Sequence, residues 1–186
     1  TDFAQTEVDQ RQVNLTQFPL FFPERRDFFL DGATYFDFGS QSGSGETLQP
    51  FFTRRIGLGS DASTPQRVNV GGKFMGQVGR QDVGVMHVST GTDDGLGFLG
   101  EDFTVARVKR RVLSQSYFGG IYTRRAPRAD AAGVAQTEGV DFRLATSSFR
   151  GNQNLQATGW FIHAGNPGTT GGNNAYGLTV EYPNDR

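Results

Sequence analysis

Apolar and polar residues alternate with period two along most of the chain after residue 66. Over residues 67–79, Val68, Val70, Gly72, Phe74, Gly76 and Val78 fall on one side. Arg67, Asn69, Gly71, Lys73, Met75 and Gln77 fall on the other, the pattern of a long half-buried strand. Gly79-Arg80-Gln81-Asp82 reads as a tight turn into a strand over 83–90, giving a hairpin. A longer loop through Asp93-Asp94-Gly95 leads to a second long strand over 102–113. Ser114 and Gln115 connect it tightly to a strand over 116–124. Past a loop ending near Glu138, Val140, Phe142, Leu144 and Thr146 alternate against Asp141, Arg143 and Ala145. Gly151-Asn152 turns the chain into a strand over 154–163. A Gly/Asn/Pro/Thr loop over 165–174 then precedes Tyr176, Leu178, Val180 and Tyr182 on the last strand.

The helical template fails almost everywhere. The expected fold is all-β, an antiparallel up-and-down meander of about seven strands, as an open or partial barrel. Two regions are expected. Residues 1–66 form an aromatic-rich irregular segment with short strands, packing on the sheet or on a partner, and residues 67–186 form the meander. Short turns alternate with longer loops, and the strands approach the ~9 to 11 residues of a tilted membrane span. Soluble meanders share both features.

Composition narrows the classes. The 186 residues include 26 Gly and 17 Phe but no Cys, with a formal net charge of -1. Zero Cys excludes disulfide frameworks, thiolate metal sites and cysteine nucleophiles. Near-neutrality argues against a general nucleic-acid binder. The aromatic content is too high for a disordered chain. No run approaches the ~20 apolar residues of a membrane-spanning helix. Thr1-Asp2-Phe3-Ala4 has neither the basic nor the apolar region of a signal peptide. Without an initial Met, the sequence reads as a processed product or an excised piece.

Several segments resemble an uncharacterised bacterial family of outer-membrane β-barrel proteins. The most specific run is Phe21-Phe22-Pro23-Glu24-Arg25-Arg26-Asp27-Phe28-Phe29-Leu30-Asp31-Gly32. Val13-Asn14-Leu15, Phe36-Asp37-Phe38-Gly39, Thr53-Arg54-Arg55-Ile56-Gly57, Phe103-Thr104-Val105-Ala106-Arg107-Val108 and Gly139-Val140-Asp141-Phe142-Arg143 also match. In that family the barrel usually follows a family-9-like carbohydrate-binding sandwich, and the resemblance here is to the opening part of the barrel domain. It implies a cell-envelope protein, in the outer membrane or on the periplasmic side of a membrane. Sugar binding belongs to the preceding domain and is not implied for these residues.

An unclosed strand series leaves edge N–H and C=O groups that invite another chain, and an open edge is not viable in lipid. Further strands complete the barrel, several copies close it, or the sheet stands outside lipid. Face chemistry bears on the choice. Arg107, Lys109 and Arg111 share one face, as a polar lumen would allow, whereas Arg110 falls with Thr104, Ala106, Val108 and Val112. An Arg facing lipid costs roughly 2 to 4 kcal/mol at mid-bilayer and about 0 to 1 near the interface, so Arg110 belongs near a strand end. Gly72, Phe74 and Gly76 read as a close-packing stripe, against another protein or the chain's own aromatic segment. The first functional expectation is a non-catalytic part of an outer-membrane barrel. The second is a membrane-extrinsic structural subunit bracing a larger membrane complex; the third is a carbohydrate-binding module.

Enzymatic chemistry finds little footing. His87 and His163 are the only histidines, and both sit on strands as packed or interface residues. Asp93-Asp94-Gly95 lacks the alternating ligands and closing Glu of a calcium loop. Gly57-Leu58-Gly59 lacks the context of a phosphate loop. Glu24, Asp27 and Asp31 are interleaved with Arg25 and Arg26, which favours local ion pairing over acid–base work. No catalytic residue, metal or cofactor is expected. Candidate contacts to a partner or to lipid are Arg54, Arg55, Arg124, Arg125 and Arg128, with Phe21, Phe22, Phe28, Phe29 and Trp160. Trp160 with Tyr176 and Tyr182 suits an interfacial aromatic belt, a sugar platform or an ordinary core. The expected partners are other subunits or the rest of a barrel, with membrane association and no nucleic acid.

Overall fold

A computed structural model describes residues 24–39, 48–59, 64–95, 97–128, 133–168 and 173–183. Seven antiparallel strands form one sheet in sequence order: β1 (Val68–Val78), β2 (Gln81–Thr90), β3 (Glu101–Arg111), β4 (Tyr117–Pro127), β5 (Ala135–Phe149), β6 (Gln153–Gly165) and β7 (Asn174–Glu181). The sheet is open, with β1 and β7 as its edges. The connections alternate as the sequence predicts. Residues 79–80, 112–116 and 150–152 make short turns at one end, and three longer loops lie at the other. Gly79 opens the first turn at φ +61°, a conformation a two-residue hairpin needs and glycine adopts without strain.

Before the sheet lie a single helical turn, α1 (Asp27–Leu30), and two 3-10 turns, Ala33–Phe36 and Thr53–Arg55. This segment covers one face of the sheet, hereafter the inner face. Phe29, Phe38 and Ile56 join Val68, Met86, Val88, Phe103, Val105, Ile121 and Ile162 in the core. Several inward positions are glycines, and aromatic rings sit where side chains would stand. A Cβ on Gly71 would lie 3.3 Å from the Phe28 ring, and one on Gly84 3.1 Å from Phe36. On Gly139 it would lie 2.7 Å from Phe38. The high glycine content of the sheet is therefore partly a seat for the phenylalanines that precede it.

One sequence expectation fails on β1. The register shifts between Val68, which pairs with Thr90, and Val70, which pairs with Ser89. This bulge reverses the alternation. Val68 turns into the core, while Val70, Gly72, Phe74, Gly76 and Val78 face outward. The aromatic segment packs on the opposite face, so the stripe does not meet it. A Cβ on Gly72 would touch nothing within 4 Å, one on Gly76 would meet only the Phe74 ring at 3.9 Å, and Phe74 is 64% exposed.

Candidate functional site

The two faces of the sheet differ in chemistry. Outward on successive strands lie Val70, Phe74 and Val78; Val83 and Val85; Ala106 and Val108; Phe118; Val140, Phe142 and Leu144; Leu155 and Phe161; then Tyr176, Leu178 and Val180. Many stand free of the rest of the chain, with Val140 59%, Leu178 71% and Tyr176 80% exposed. A half-solvated antiparallel sheet normally buries its apolar face and wets its polar one. Here the inner face buries the core, yet much of the outer face is apolar as well. With six gaps of about 4.8 Å each, the apolar face is about 29 Å wide, beyond the scattered apolar residues usual on a soluble surface.

The apolar band also runs obliquely. Following the register from Phe74 leads through Val85, Ala106, Tyr122, Glu138 and His163 to Asn174. On β7, however, the band centres on Leu178, four residues past Asn174. A horizontal belt on tilted strands shifts register in this way. Polar outward residues gather toward the long loops: His87, whose Nδ1 is 2.9 Å from Thr104 Oγ1, and His163, whose Nδ1 is 2.7 Å from Asn174 Oδ1. Arg110 is outward and exposed, the penultimate residue of β3 beside a short turn.

Beside its apolar core the inner face carries closely paired charges. Arg107 on β3 reaches across β4 to Asp141 on β5, with both side chains fully buried. Arg107 Nη2 donates to Asp141 Oδ2 at 2.8 Å, and Nη1 lies 2.7 Å from Oδ1. Oδ2 also accepts from the Gly39 backbone N–H and the Tyr117 hydroxyl, each at 3.1 Å. Arg107 Nε donates to the Asp37 carbonyl at 3.0 Å, and its guanidinium lies 5.3 Å from the Phe38 ring centre. One buried ion pair thus fastens residues 37–39 to three strands. Gly119 on β4 leaves the corridor open, since a Cβ there would stand 2.6 Å from Asp141 Oδ1. Gly119→Ala is expected to cost about 1–3 kcal/mol through this overlap, read as a lowered denaturant midpoint.

The chain's only two lysines serve the same end. Lys109 Nζ donates to the Thr34 carbonyl at 2.8 Å. Lys73 Nζ donates to the carbonyls of Phe28, at 2.6 Å, and Asp31. Within the segment, buried Arg26 donates to the carbonyls of Ile56 and Thr53 at 2.7 and 2.9 Å, and to Glu24 Oε1 and Oε2 at 2.9 and 2.8 Å. Burial alone would raise the Glu24 carboxyl, but the hydrogen bonds and charge of Arg26 outweigh it and hold Glu24 below its ordinary 4.5. Asp37 is shifted the other way, upward, because burial exceeds the pull of Lys109 and Arg107. A depressed carboxyl contributes stability above its unfolded value and loses it as pH falls. Below about pH 4.5 the segment should therefore loosen through Glu24. Protease sensitivity at residues 48–59 should rise with acid in the parent chain and change less in Glu24→Gln.

The sequence-predicted contact residues do not converge. Phe28 and Phe29 pack on the inner face, and Trp160 lies there too, its indole close to Gly39 and Gly177. They face away from the exposed surface because residues 24–59 cover the sheet's inner side. Phe21 and Phe22 lie outside the described residues. Arg54 is buried and Arg55 half-buried. Arg125 grips Glu101 with two hydrogen bonds, at 2.9 and 2.6 Å, and Arg128 contacts Ser89 and, at 3.2 Å, Asp102. Arg124 stands on the outer face between Thr104 and Gln136, as do Ser89 and Asp102, the partners of Arg128. The expected arginine patch is thus divided among separate ion pairs and opposite faces. Among the described residues no group of three or more His, Asp or Glu could hold a metal. A recess of about 640 Å³ beneath the segment is lined by Phe29, Phe36, Asp37, Phe51, Met86 and Lys109, among others.

Comparison with known families matches residues 1–99 to a domain of unknown function, DUF5916. The chain belongs to the DUF5916 family. The match spans the aromatic segment, β1, β2 and the loop that follows, whereas β3 to β7 lie beyond it. The anchoring carbonyls of residues 28–37 therefore fall inside the DUF5916 match, and Arg107 and Asp141, which hold its end, fall outside it. No curated protein and no solved structure matches the chain.

Proposed function

We propose that this DUF5916 chain is a non-catalytic wall segment of an outer-membrane-type β-barrel, with residues 24–59 packed against its lumen side. The observation that carries the reading is the broad, exposed apolar outer face, set against an inner face that buries the core together with the Arg107–Asp141 pair. Membrane barrels are apolar toward lipid and polar within. An 11-residue strand is about 37 Å long and rises about 28 Å at a tilt of about 40°, comparable with the ~25 Å apolar band of such barrels. The free edges of β1 and β7 are then closed by further strands, from the same protein or from other copies, because lipid tolerates no open edge.

The full-length protein folded in detergent tests this reading directly. Unboiled and boiled samples should migrate differently on a gel, and extraction from cells should require detergent. A protein released by salt or alkali without detergent, with one mobility, would favour the membrane-extrinsic subunit instead. The carbohydrate module would stack a sugar on Trp160, but among the described residues that indole is half-buried and lies against Gly39 and Gly177.

A further inference from the structure

The short-turn end of the sheet differs in charge from the long-loop end. Arg80 lies in the first short turn, Arg110 on the outer face beside the second, and Arg150 in the third. All three are exposed, and none has an ion-pair partner among the described residues. The three short turns contain no carboxylate. Among the described residues the nearest acids, Asp82 and Glu181, point to the inner face, where Asp82 lies 3.4 Å from Arg111 and Glu181 accepts from Gln156 at 3.3 Å. At the long-loop end acids and arginines are mixed instead, with Arg125 paired to Glu101 and Arg128 to Asp102.

The basic end is amphipathic as well. Leu113 in the second turn is 68% exposed, and Phe118 stands outward just past it. Phe149 and Tyr182 meet edge to face with ring centres 6.3 Å apart, and the Arg150 guanidinium lies 5.5 Å from the Phe149 ring centre. Aromatic rings at headgroup level, with free arginines beside them, suit a membrane–water interface carrying negative charge.

We infer that this rim docks on anionic phospholipid headgroups, with Arg80, Arg110 and Arg150 taking the phosphates and Leu113, Phe149 and Tyr182 entering the interface. The inference rests on the barrel reading and says which end of the wall meets the charged leaflet surface. A cationic side chain near an anionic surface strengthens binding roughly fivefold, so the three arginines together set a large and salt-sensitive preference.

The test uses the full-length protein with vesicles of phosphatidylcholine alone and of phosphatidylcholine with one-third phosphatidylglycerol. Flotation reports binding, and heat-modifiable gel mobility reports barrel formation. The parent should bind the anionic vesicles at least tenfold more tightly, and the Arg80→Gln/Arg110→Gln/Arg150→Gln variant should lose most of that preference while binding neutral vesicles as before. Equal preference in the parent and the triple variant would overturn the rim while leaving heat-modifiability, and so the barrel, intact. Flotation on anionic vesicles that depends on the arginines, without heat-modifiability, would uphold the rim and overturn the barrel. Flotation on neither vesicle would overturn both.

Discussion

Asp141→Ala is expected to destabilise the fold by about 3–5 kcal/mol, because it strands the Arg107 guanidinium as an uncompensated buried charge. The same change removes the acceptor for Gly39 N–H and the Tyr117 hydroxyl. Residues 37–39 should then leave the sheet before the strands separate. Denaturant unfolding followed by Trp160 fluorescence reads this well, since the indole lies against Gly39. Asp141→Asn should cost less than alanine, keeping an oxygen for those donors. The paired variant Arg107→Met/Asp141→Leu should recover much of the loss, since an apolar pair of similar volume removes both buried charges. An Asp141→Ala chain with a parental midpoint would mean that the ion pair does not hold the segment.

On the other face, Val140→Arg and Leu178→Arg should each cost about 2–4 kcal/mol in the lipid-folded protein, the penalty for a cation facing mid-bilayer. Both positions are well exposed within the chain. On a sheet facing water the same substitutions would shift stability by no more than about 0.5 kcal/mol and would improve solubility. The size of the loss therefore distinguishes lipid from water on this face. Gln81→Arg, level with Arg110 at the short-turn end, should cost about 0 to 1 kcal/mol even in lipid.

Period-two alternation was enough to count the strands, and turn residues such as Gly79 and Gly151 placed the short connections. Strand ends moved by a few residues, most on β5, which begins at Ala135 rather than near Val140. Alternation also grouped Arg107, Lys109 and Arg111 together and isolated Arg110. It could not say which face of each strand is covered, because that depends on where residues 24–59 pack. On β1 a single inserted residue after Val68 reversed the pattern, which no periodicity count resolves. The Arg107–Asp141 pair was equally hidden. Its partners are 34 residues apart and meet only because β4 lies between them with glycine at 119. The arginine runs misled for a related reason: neighbours in sequence on a strand point to opposite faces, so Arg124 and Arg125 take different surroundings.

What touches the outer face decides between membrane wall and water-facing sheet, and the chain contains no cysteine, so a single reporter can be placed there. Val140→Cys and Leu178→Cys, each labelled with an environment-sensitive fluorophore in the full-length protein in bacterial membranes, should be quenched by nitroxide-bearing acyl chains and shielded from iodide. Quenching by iodide with no response to the acyl-chain nitroxide would place this face in water and contradict the membrane-wall reading.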